Sequence, residues 1–347
     1  MELIHGPDTE KALKILNEWK ILEIPTKCLN FHACNITSLP ELPDEVENLD
    51  CSRTKITKLP KLPKNLKKLT CFNTNLTSLP TLPSYLEYLD CTHSKLTSIP
   101  VLPKYLKYLD CSDNFLTSLS DLPNELEEFY CWNCNLTSLP KLPLKLIAFA
   151  CYVNPLFELP ELPNSLESLS CFQCPLSFLP ALPNSLLDLN CHSCNLTSLP
   201  TLPNKLLVLN CFGNQLSSLP DLPQFLQWLA CSNNPITVLP EFHNSLTFVQ
   251  CSNTLISYLP KLSSSMVELN CTNCPNLILN GLHLTNTTKI IEYEKRWQPI
   301  REQLKRDETI LRCKAVKEEL IEKTWHPQRV FDWCFDEEEK LDLISCG

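Results

Sequence analysis

The sequence predicts an α/β repeat solenoid in which short strands from successive units form one parallel sheet. Three observations support this prediction. Cysteines recur every 20 residues from Cys51 to Cys271, apolar residues recur at fixed places between them, and each unit carries prolines at fixed places. Self-similarity with a period of about 20 to 50 residues is the signature of a repeat architecture.

The unit that begins at Leu66 shows the pattern, LKKLTCFNTNLTSLPTLP. Counted from that leucine, apolar residues stand at positions 1, 4, 6, 11, 14 and 17, and prolines stand at positions 15 and 18. Alternation at positions 4 to 6 predicts one short strand with a single buried face. We count 13 such units, beginning near Thr26 and ending near Leu284.

The proline-rich half of each unit predicts the opposite side of the solenoid. Each proline removes an N–H donor and biases the residue before it toward extended geometry, so the L-P-x-L-P segment cannot be the interior of an α-helix. We therefore expect an extended, proline-rich convex side and, because that layer is thin, a shallow arc.

The repeat pattern, L-x-x-L-x-[LC]-x-x-[NCTS]-x-L, resembles the leucine-rich repeat in its short, 20-residue form, similar to that of bacterial effector proteins. The resemblance covers about three quarters of the chain. It implies an arc with a parallel sheet on its concave face. It also implies that an asparagine at position 9 bonds backbone groups of the turn; this chain has Asn, Cys, Thr or Ser there.

Both ends of a solenoid expose core residues and need caps. Ala12, Leu13, Leu16 and Trp19 fall on one face of a helix predicted over residues 7–20. After the last unit the repeat is lost and charged, helix-like stretches follow. We therefore predict three domains: an N-terminal helical cap over 1–25, the solenoid over 26–285 and a C-terminal helical cap over 286–347.

Composition and charge narrow the classes of partner. The net charge is −9 and no basic run stands out, which argues against binding to nucleic acid. The sequence lacks a signal peptide and an apolar stretch of membrane-spanning length, so we expect a cytoplasmic protein without membrane contact. No glycine-rich phosphate loop or catalytic constellation is present, and we expect neither a cofactor nor a small-molecule substrate.

The 21 cysteines raise the question of a metal or redox site. Four C-x-x-C pairs, 131/134, 171/174, 191/194 and 271/274, would indicate metal binding in another setting. Here both members of each pair occupy core positions of the repeat, where a thiol behaves as a small apolar side chain. We interpret the cysteines as reduced core residues and expect no metal.

Two features of the C-terminal tail carry resemblances of their own. Cys334-Phe335-Asp336 resembles the C-x-D motif of ubiquitin ligases that follow similar repeats in bacterial effectors, which would make Cys334 a nucleophile. The three glutamates that follow would raise its pKa, and the remaining chain is short for such a ligase, so we expect a non-enzymatic protein. The segment from Thr324 to Glu339 resembles the tails of leucine-rich-repeat proteins of giant DNA viruses.

Strand alternation places positions 3, 5, 7 and 8 on the concave face. An acidic zone is predicted in the N-terminal half, with Asp50, Asp113 and Glu128 among its members, and an aromatic stripe in the middle. Exposed aromatic side chains on a rigid sheet are typical of interface hot spots. The predicted binding residues are Tyr88, Asp90, Tyr108, Asp110, Tyr130, Trp132, Tyr152, Phe172, His192, Phe212 and Trp228.

The function predicted from this face is protein–protein interaction, with a partner segment that carries basic and apolar side chains. One alternative is that the aromatic rings stack along neighbouring strands and only stabilise the sheet. Two alternatives at the level of function are a structural role through self-association and the ligase that uses Cys334. The viral resemblance implies a host or virion component as the partner.

Overall fold

The computed structural model describes residues 7–21, 27–257, 259–260 and 265–277. All of them belong to the first of two units of the chain, Met1–Leu284. The second unit, Thr285–Gly347, lies outside the described residues, and so do the predicted C-terminal cap and Cys334.

Thirteen strands of three residues each form one parallel sheet in chain order, which confirms the predicted architecture. Every pair is in register with an offset of 20 residues, as between Leu69 and Leu89. The strands are β1 (Cys28–Asn30), β2 (Asn48–Asp50), β3 (Lys68–Thr70), β4 (Tyr88–Asp90), β5 (Tyr108–Asp110), β6 (Glu128–Tyr130), β7 (Ala148–Ala150), β8 (Ser168–Ser170), β9 (Asp188–Asn190), β10 (Val208–Asn210), β11 (Trp228–Ala230), β12 (Phe248–Gln250) and β13 (Glu268–Asn270).

The strands occupy positions 3 to 5, one residue earlier than the predicted alternation at positions 4 to 6. Backbone hydrogen bonds between units nevertheless continue past the strand. The N–H of Cys71 donates to the carbonyl of Asp90 at 2.8 Å, and the N–H of Asn73 donates to the carbonyl of Thr92 at 2.8 Å. The sheet-like connection between units is therefore longer than the strands themselves.

The core is a column of identical positions stacked unit on unit. The leucines at positions 1, 4 and 11 are nearly all fully buried, and so are the cysteines at position 6 from Cys51 to Cys251. Phe129 and Phe149 stand at position 4 and stack with ring centroids 5.4 Å apart. Because each unit buries its apolar face only against its neighbours, stability comes from the interfaces between units.

A sharp turn follows each strand and reverses the chain toward the convex side. The residue at position 8 is left-handed in every unit, with φ of 54° at Val153 and 64° at Gly213. At position 9, Asn154 donates from Nδ2 to the carbonyls of Cys131 and Cys151, both at 2.9 Å, and accepts from the N–H of Leu136 at 3.1 Å. The asparagine at position 9 thus closes its own turn and also joins that turn to the preceding unit.

The convex side is extended, as predicted: from Lys27 to Ser257 the described chain contains no helix. The second proline of a unit begins a tight turn that leads into the next strand, for example with the N–H of Leu86 donating to the carbonyl of Pro83 at 3.1 Å. No helix among the described residues is long and apolar enough to cross a bilayer.

The helix predicted near the N-terminus is present as α1 (Pro7–Ile21). Ala12, Leu16 and Trp19 are buried in the same core cluster as Leu29 and Phe31 of the first unit. Phe31 takes the place of the cysteine at position 6 and is fully buried. The first unit is therefore covered on its outer side by the helix.

Candidate binding face

The concave face is formed by the side chains at positions 3, 5 and 7, because position 4 points into the core. A carboxylate or amide at position 5 fixes the backbone that follows. Asp50 accepts from the N–H of Ser52 at 2.9 Å, and Asp110 accepts from the N–H of Ser112 at 3.1 Å. These short side chains close a local turn, a role that Asp and Asn commonly have. The acidic residues at position 5 therefore also serve the fold.

Five side chains at position 7 form a continuous aromatic column in the middle of the face: Trp132, Tyr152, Phe172, His192 and Phe212. Trp132 and Tyr152 stack with centroids 5.3 Å apart and 4° between their planes. Tyr152 and Phe172 follow at 4.1 Å and 11°, whereas Phe212 meets His192 edge-on at 6.4 Å. The structure thus brings together the whole predicted stripe.

Stacking changes what the aromatic column exposes. Phe172 and His192 each retain only 7% of their accessible surface, while Trp132, Tyr152 and Phe212 are half-buried. The sequence predicted exposed rings, so for Phe172 and His192 the stacking alternative describes the geometry better. The aromatic column offers a partner the edges of its rings, and at its N-terminal end His93 also packs against Trp132, with ring centroids 5.5 Å apart.

A second group, which we call the tyrosine cluster, lies toward the N-terminus and consists of Tyr88, Tyr108 and Tyr130. Tyr88 and Tyr108 stack at 4.1 Å, and Tyr130 tilts against Tyr108 at 5.6 Å. The hydroxyl of Tyr130 donates to Glu128 at 2.8 Å. The Lys68 ammonium lies over the Tyr88 ring, 4.1 Å from its centroid.

The acidic zone around the tyrosine cluster is less negative than its carboxyl groups suggest. Burial raises the pKa of Asp110 to about 7, so that near neutral pH a large fraction of this carboxyl is protonated. Asp113 contacts the imidazole of His93, and Lys68 brings a positive charge onto the same face. The sequence count of acidic residues therefore overstates the local charge.

Trp228 is part of a separate apolar pair. It stands at position 3 and packs against Phe248 at 4.4 Å, with 41° between the rings. The predicted binding residues thus fall into three groups along the face: the tyrosine cluster with Asp90 and Asp110, the aromatic column, and this pair.

The predicted site did not include Asp188. Asp188 stands at position 3 of its unit, as the first residue of β9, and retains 8% of its accessible surface. A signal was present in the sequence, because the segment from Asp188 to His192 carries polar residues at positions 3, 5 and 7 of one unit. Burial on an open face could not be foreseen from that pattern.

The described cysteines are reduced thiols, and most of them pack in the core. Of the eighteen, fourteen are buried and only Cys28 is exposed. Burial raises the pKa of Cys134 to about 11 and that of Cys194 to about 12. Cys134 donates to the carbonyl of Cys111 at 3.5 Å, the contact that an asparagine makes in other units. Within the described ranges no His, Cys, Asp or Glu side chains are grouped as a metal site would require.

Comparison with known proteins finds similarity to solved structures of leucine-rich-repeat proteins from bacteria. No protein-family model matches it, and no curated protein sequence does so. YopM from Yersinia enterocolitica WA-314 is similar at 37% identity and a TM-score of 0.68; the match covers 69% of this chain and 53% of that one. YopM of Yersinia pestis, a leucine-rich effector protein, is similar at 31% identity and a TM-score of 0.65, with 77% of this chain and 89% of that one covered.

A third structure shows the same fold at lower identity. The functional domain of InlJ from Listeria monocytogenes, which includes a cysteine ladder, is 24% identical with a TM-score of 0.52, over 76% of this chain and 56% of that one. The 20-residue register and the parallel sheet agree with the likeness to YopM of Yersinia pestis, which extends over 89% of that protein. The chain belongs to the leucine-rich-repeat family, in the short-repeat form found in YopM-like effector proteins.

Proposed function

We propose that the chain is a protein–protein interaction module that binds its partner on the concave face. The observation that carries the proposal is the aromatic column, which runs unbroken through five units. Rigid aromatic side chains bury large area at low entropic cost, and they are enriched among interface hot spots. Repeat solenoids also use their extended concave surface for binding.

The groups on the face indicate the character of the partner. The ring edges of the aromatic column suit apolar side chains. The tyrosine cluster, beside Asp90 and Glu128, suits a basic side chain, which carboxylates and phenol rings both attract. We propose a protein segment with apolar and basic side chains. The resemblance of the tail to giant-virus proteins supports a viral protein in the host cytoplasm, with a host or virion component as its partner.

The test is affinity capture from a lysate of the native host, followed by mass spectrometry. Wild type is compared with a Trp132→Ala, Tyr152→Ala, Phe172→Ala variant. The matched control is Phe157→Ala, Phe178→Ala, Phe225→Ala, because these rings are 67%, 51% and 56% exposed outside positions 3, 5 and 7. A partner kept by wild type and by the control, and lost by the first variant, is the expected result.

Phe172 is buried, so its removal could disturb the sheet. A second variant, Trp132→Gln with Tyr152→Gln, leaves Phe172 in place and must lose the same partner while keeping the circular-dichroism spectrum of wild type. Equal capture by all variants would overturn the proposal. Capture of the chain by itself, with a mass in solution that rises with concentration, would favour self-association instead.

A further inference from the structure

A row of three polar side chains crosses the concave face at β9, and we call it the polar row. It consists of Asp188, Asn190 and His192, at positions 3, 5 and 7 of one unit. Their exposed fractions are 8%, 2% and 7%. Each is more than nine-tenths buried although it stands on the concave face of the sheet.

Each member of the polar row has one buried polar atom without a hydrogen-bond partner in the described part of the chain. These atoms are Oδ1 of Asp188, Oδ1 of Asn190 and Nε2 of His192. The side chains of Asp188 and His192 also make one local contact each. Oδ2 of Asp188 accepts from the Ser168 hydroxyl at 3.5 Å, and Nδ1 of His192 lies 3.0 Å from the Ser193 hydroxyl. Three unpartnered atoms thus lie in one unit, on one face.

The fold does not require polar groups at these places. Other units carry Val208 or Ala148 at position 3, Ala150 or Ala230 at position 5, and Phe172 at position 7. Burial of an unpartnered polar group costs free energy, because the group loses its hydrogen bonds to water. An apolar side chain of similar shape would avoid that cost. The polar row is therefore better explained by a ligand group that completes its hydrogen bonds.

The protonation states define the chemistry of that group. Burial raises the pKa of Asp188 to about 8 and lowers the pKa of His192 to about 4. At neutral pH both side chains are mainly uncharged, as Asn190 is. A charged group would have to leave water for a site without a compensating charge on the polar row, whereas an amide or hydroxyl group can exchange hydrogen bonds there at little cost.

The spacing of the polar row indicates the form of the ligand. Alternate residues of a strand lie about 6.5 to 7 Å apart on one face, and alternate side chains of any extended peptide have the same spacing. We propose that Asp188, Asn190 and His192 form a subsite for an extended segment of the partner protein that presents Asn, Gln, Ser or Thr at alternate positions. This inference rests on the proposed function and locates part of its binding site.

The segment would also meet the aromatic column. The ring of His192 lies between Phe172, stacked at 4.3 Å, and Phe212, edge-on at 6.4 Å. An extended chain that follows β9 therefore crosses the aromatic column at His192, with the Phe172 and Phe212 rings on either side. The expected motif has three uncharged polar residues at alternate positions.

The test uses a displayed library of random twelve-residue peptides, selected on the immobilised full-length chain. A parallel selection uses an Asp188→Leu, Asn190→Leu, His192→Phe variant, in which each change keeps the approximate shape and removes the polar atoms. The control is Thr70→Val, a position 5 change in a distant unit. Enriched peptides are then synthesised and their affinities are measured.

The expected result is enrichment of Asn, Gln, Ser or Thr at alternate positions, with affinity at least tenfold lower for the variant and unchanged for Thr70→Val. The variant itself should melt no lower than wild type. Enrichment of charged residues, equal affinity for the variant, or a variant that melts far below wild type would overturn the subsite.

The two proposals can fail separately. Peptides that lose affinity with Trp132→Gln and Tyr152→Gln, yet bind the polar-row variant as tightly as wild type, would refute the subsite and leave the interaction module standing. Failure of the wild-type chain to enrich any peptide would contradict both proposals.

Discussion

The imidazole of His192 stacks on the ring of Phe172 at 4.3 Å, with 13° between the planes. Its Nε2 has no partner among the described residues. His192 is therefore a member of both the aromatic column and the polar row, and it extends an apolar stack while presenting a polar atom. Substitution of His192 by Phe should preserve the stack. It should remove the two ring nitrogens, of which Nδ1 contacts the Ser193 hydroxyl.

The pH dependence of the free energy of unfolding should reveal the raised pKa of the Asp188 carboxyl group. Its pKa is about 8 in the folded chain, against an ordinary value of 3.8. Between these values the unfolded state has released a proton that the folded state retains, so stability must fall as pH rises from about 4 to 8. Relative to Asp188→Asn, wild type should lose up to about 1.4 kcal/mol for each pH unit in this window.

Urea unfolding of both proteins at pH 5, 6, 7 and 8 checks this difference. Asp110 and Glu268, whose pKa burial raises to about 7, contribute slopes of the same sign to both proteins and cancel in the comparison. His192 acts in the opposite direction below pH 6.5, and it too is present in both. A difference that does not change with pH would show that Asp188 is ionised in the folded state.

The asparagine at position 9 should be among the most sensitive positions of a unit. Asn154→Ala leaves the N–H of Leu136 and the carbonyl of Cys131 without their side-chain partner. We expect a loss of about 3 kcal/mol in the free energy of unfolding, since buried unpaired groups are costly. Thermal and urea unfolding measure it. Asn135→Ala, at an exposed asparagine of the preceding unit, should change stability by less than about 0.5 kcal/mol, and similar losses for both would contradict the assigned role.

Val153 occupies a backbone conformation that suits it poorly. Its φ of 54° lies in the left-handed region, which a β-branched side chain rarely adopts, whereas Asn stands there in several other units. Val153→Asn should therefore raise the free energy of unfolding by about 1 kcal/mol. Val101→Asn, at an 84% exposed valine on the convex side, is the control and should have little effect. No gain at Val153 would mean that its packing outweighs the strain.

Cysteine reactivity should follow burial. In a Cys313→Ser, Cys334→Ser, Cys346→Ser background, a thiol-specific reagent should label Cys28 first, since it is the exposed thiol of the solenoid as described. The fourteen buried cysteines should react only on unfolding, because burial keeps the reagent away from their thiol groups. Time-resolved labelling with and without urea measures both phases. Replacing Cys28 by Ser should abolish the fast phase of labelling. A fast phase that persists in this variant would indicate that the reagent reaches the core of the folded chain.

The period of 20 residues predicted the strand order and the register, because identical units can stack only in equivalent positions, and the prolines predicted the extended convex side. The resemblance to the leucine-rich repeat implied that position 9 would bond the turn. The strands begin and end one residue earlier than predicted. The cysteine at position 6 is buried and so continues the apolar alternation, but it lies just after the end of the strand.

The details of the concave face depended on contacts that a sequence pattern does not contain. The pattern placed Phe172 and His192 on the face correctly, but their burial results from ring stacking across neighbouring units. The burial of Asp188 similarly depends on packing in three dimensions. The acidic residues at position 5 could have been recognised as turn-closing groups, because Asp and Asn often bond the N–H two residues later.

Every strand pairs with a neighbour 20 residues away, and the same positions face each other at each step. Loss or duplication of one whole unit would again bring leucine opposite leucine and turn opposite turn. An insertion of a single residue would instead set a buried leucine of position 4 opposite a residue of the concave face. The reach of the concave face can thus lengthen or shorten in whole steps between related chains, while α1 continues to cover the first unit.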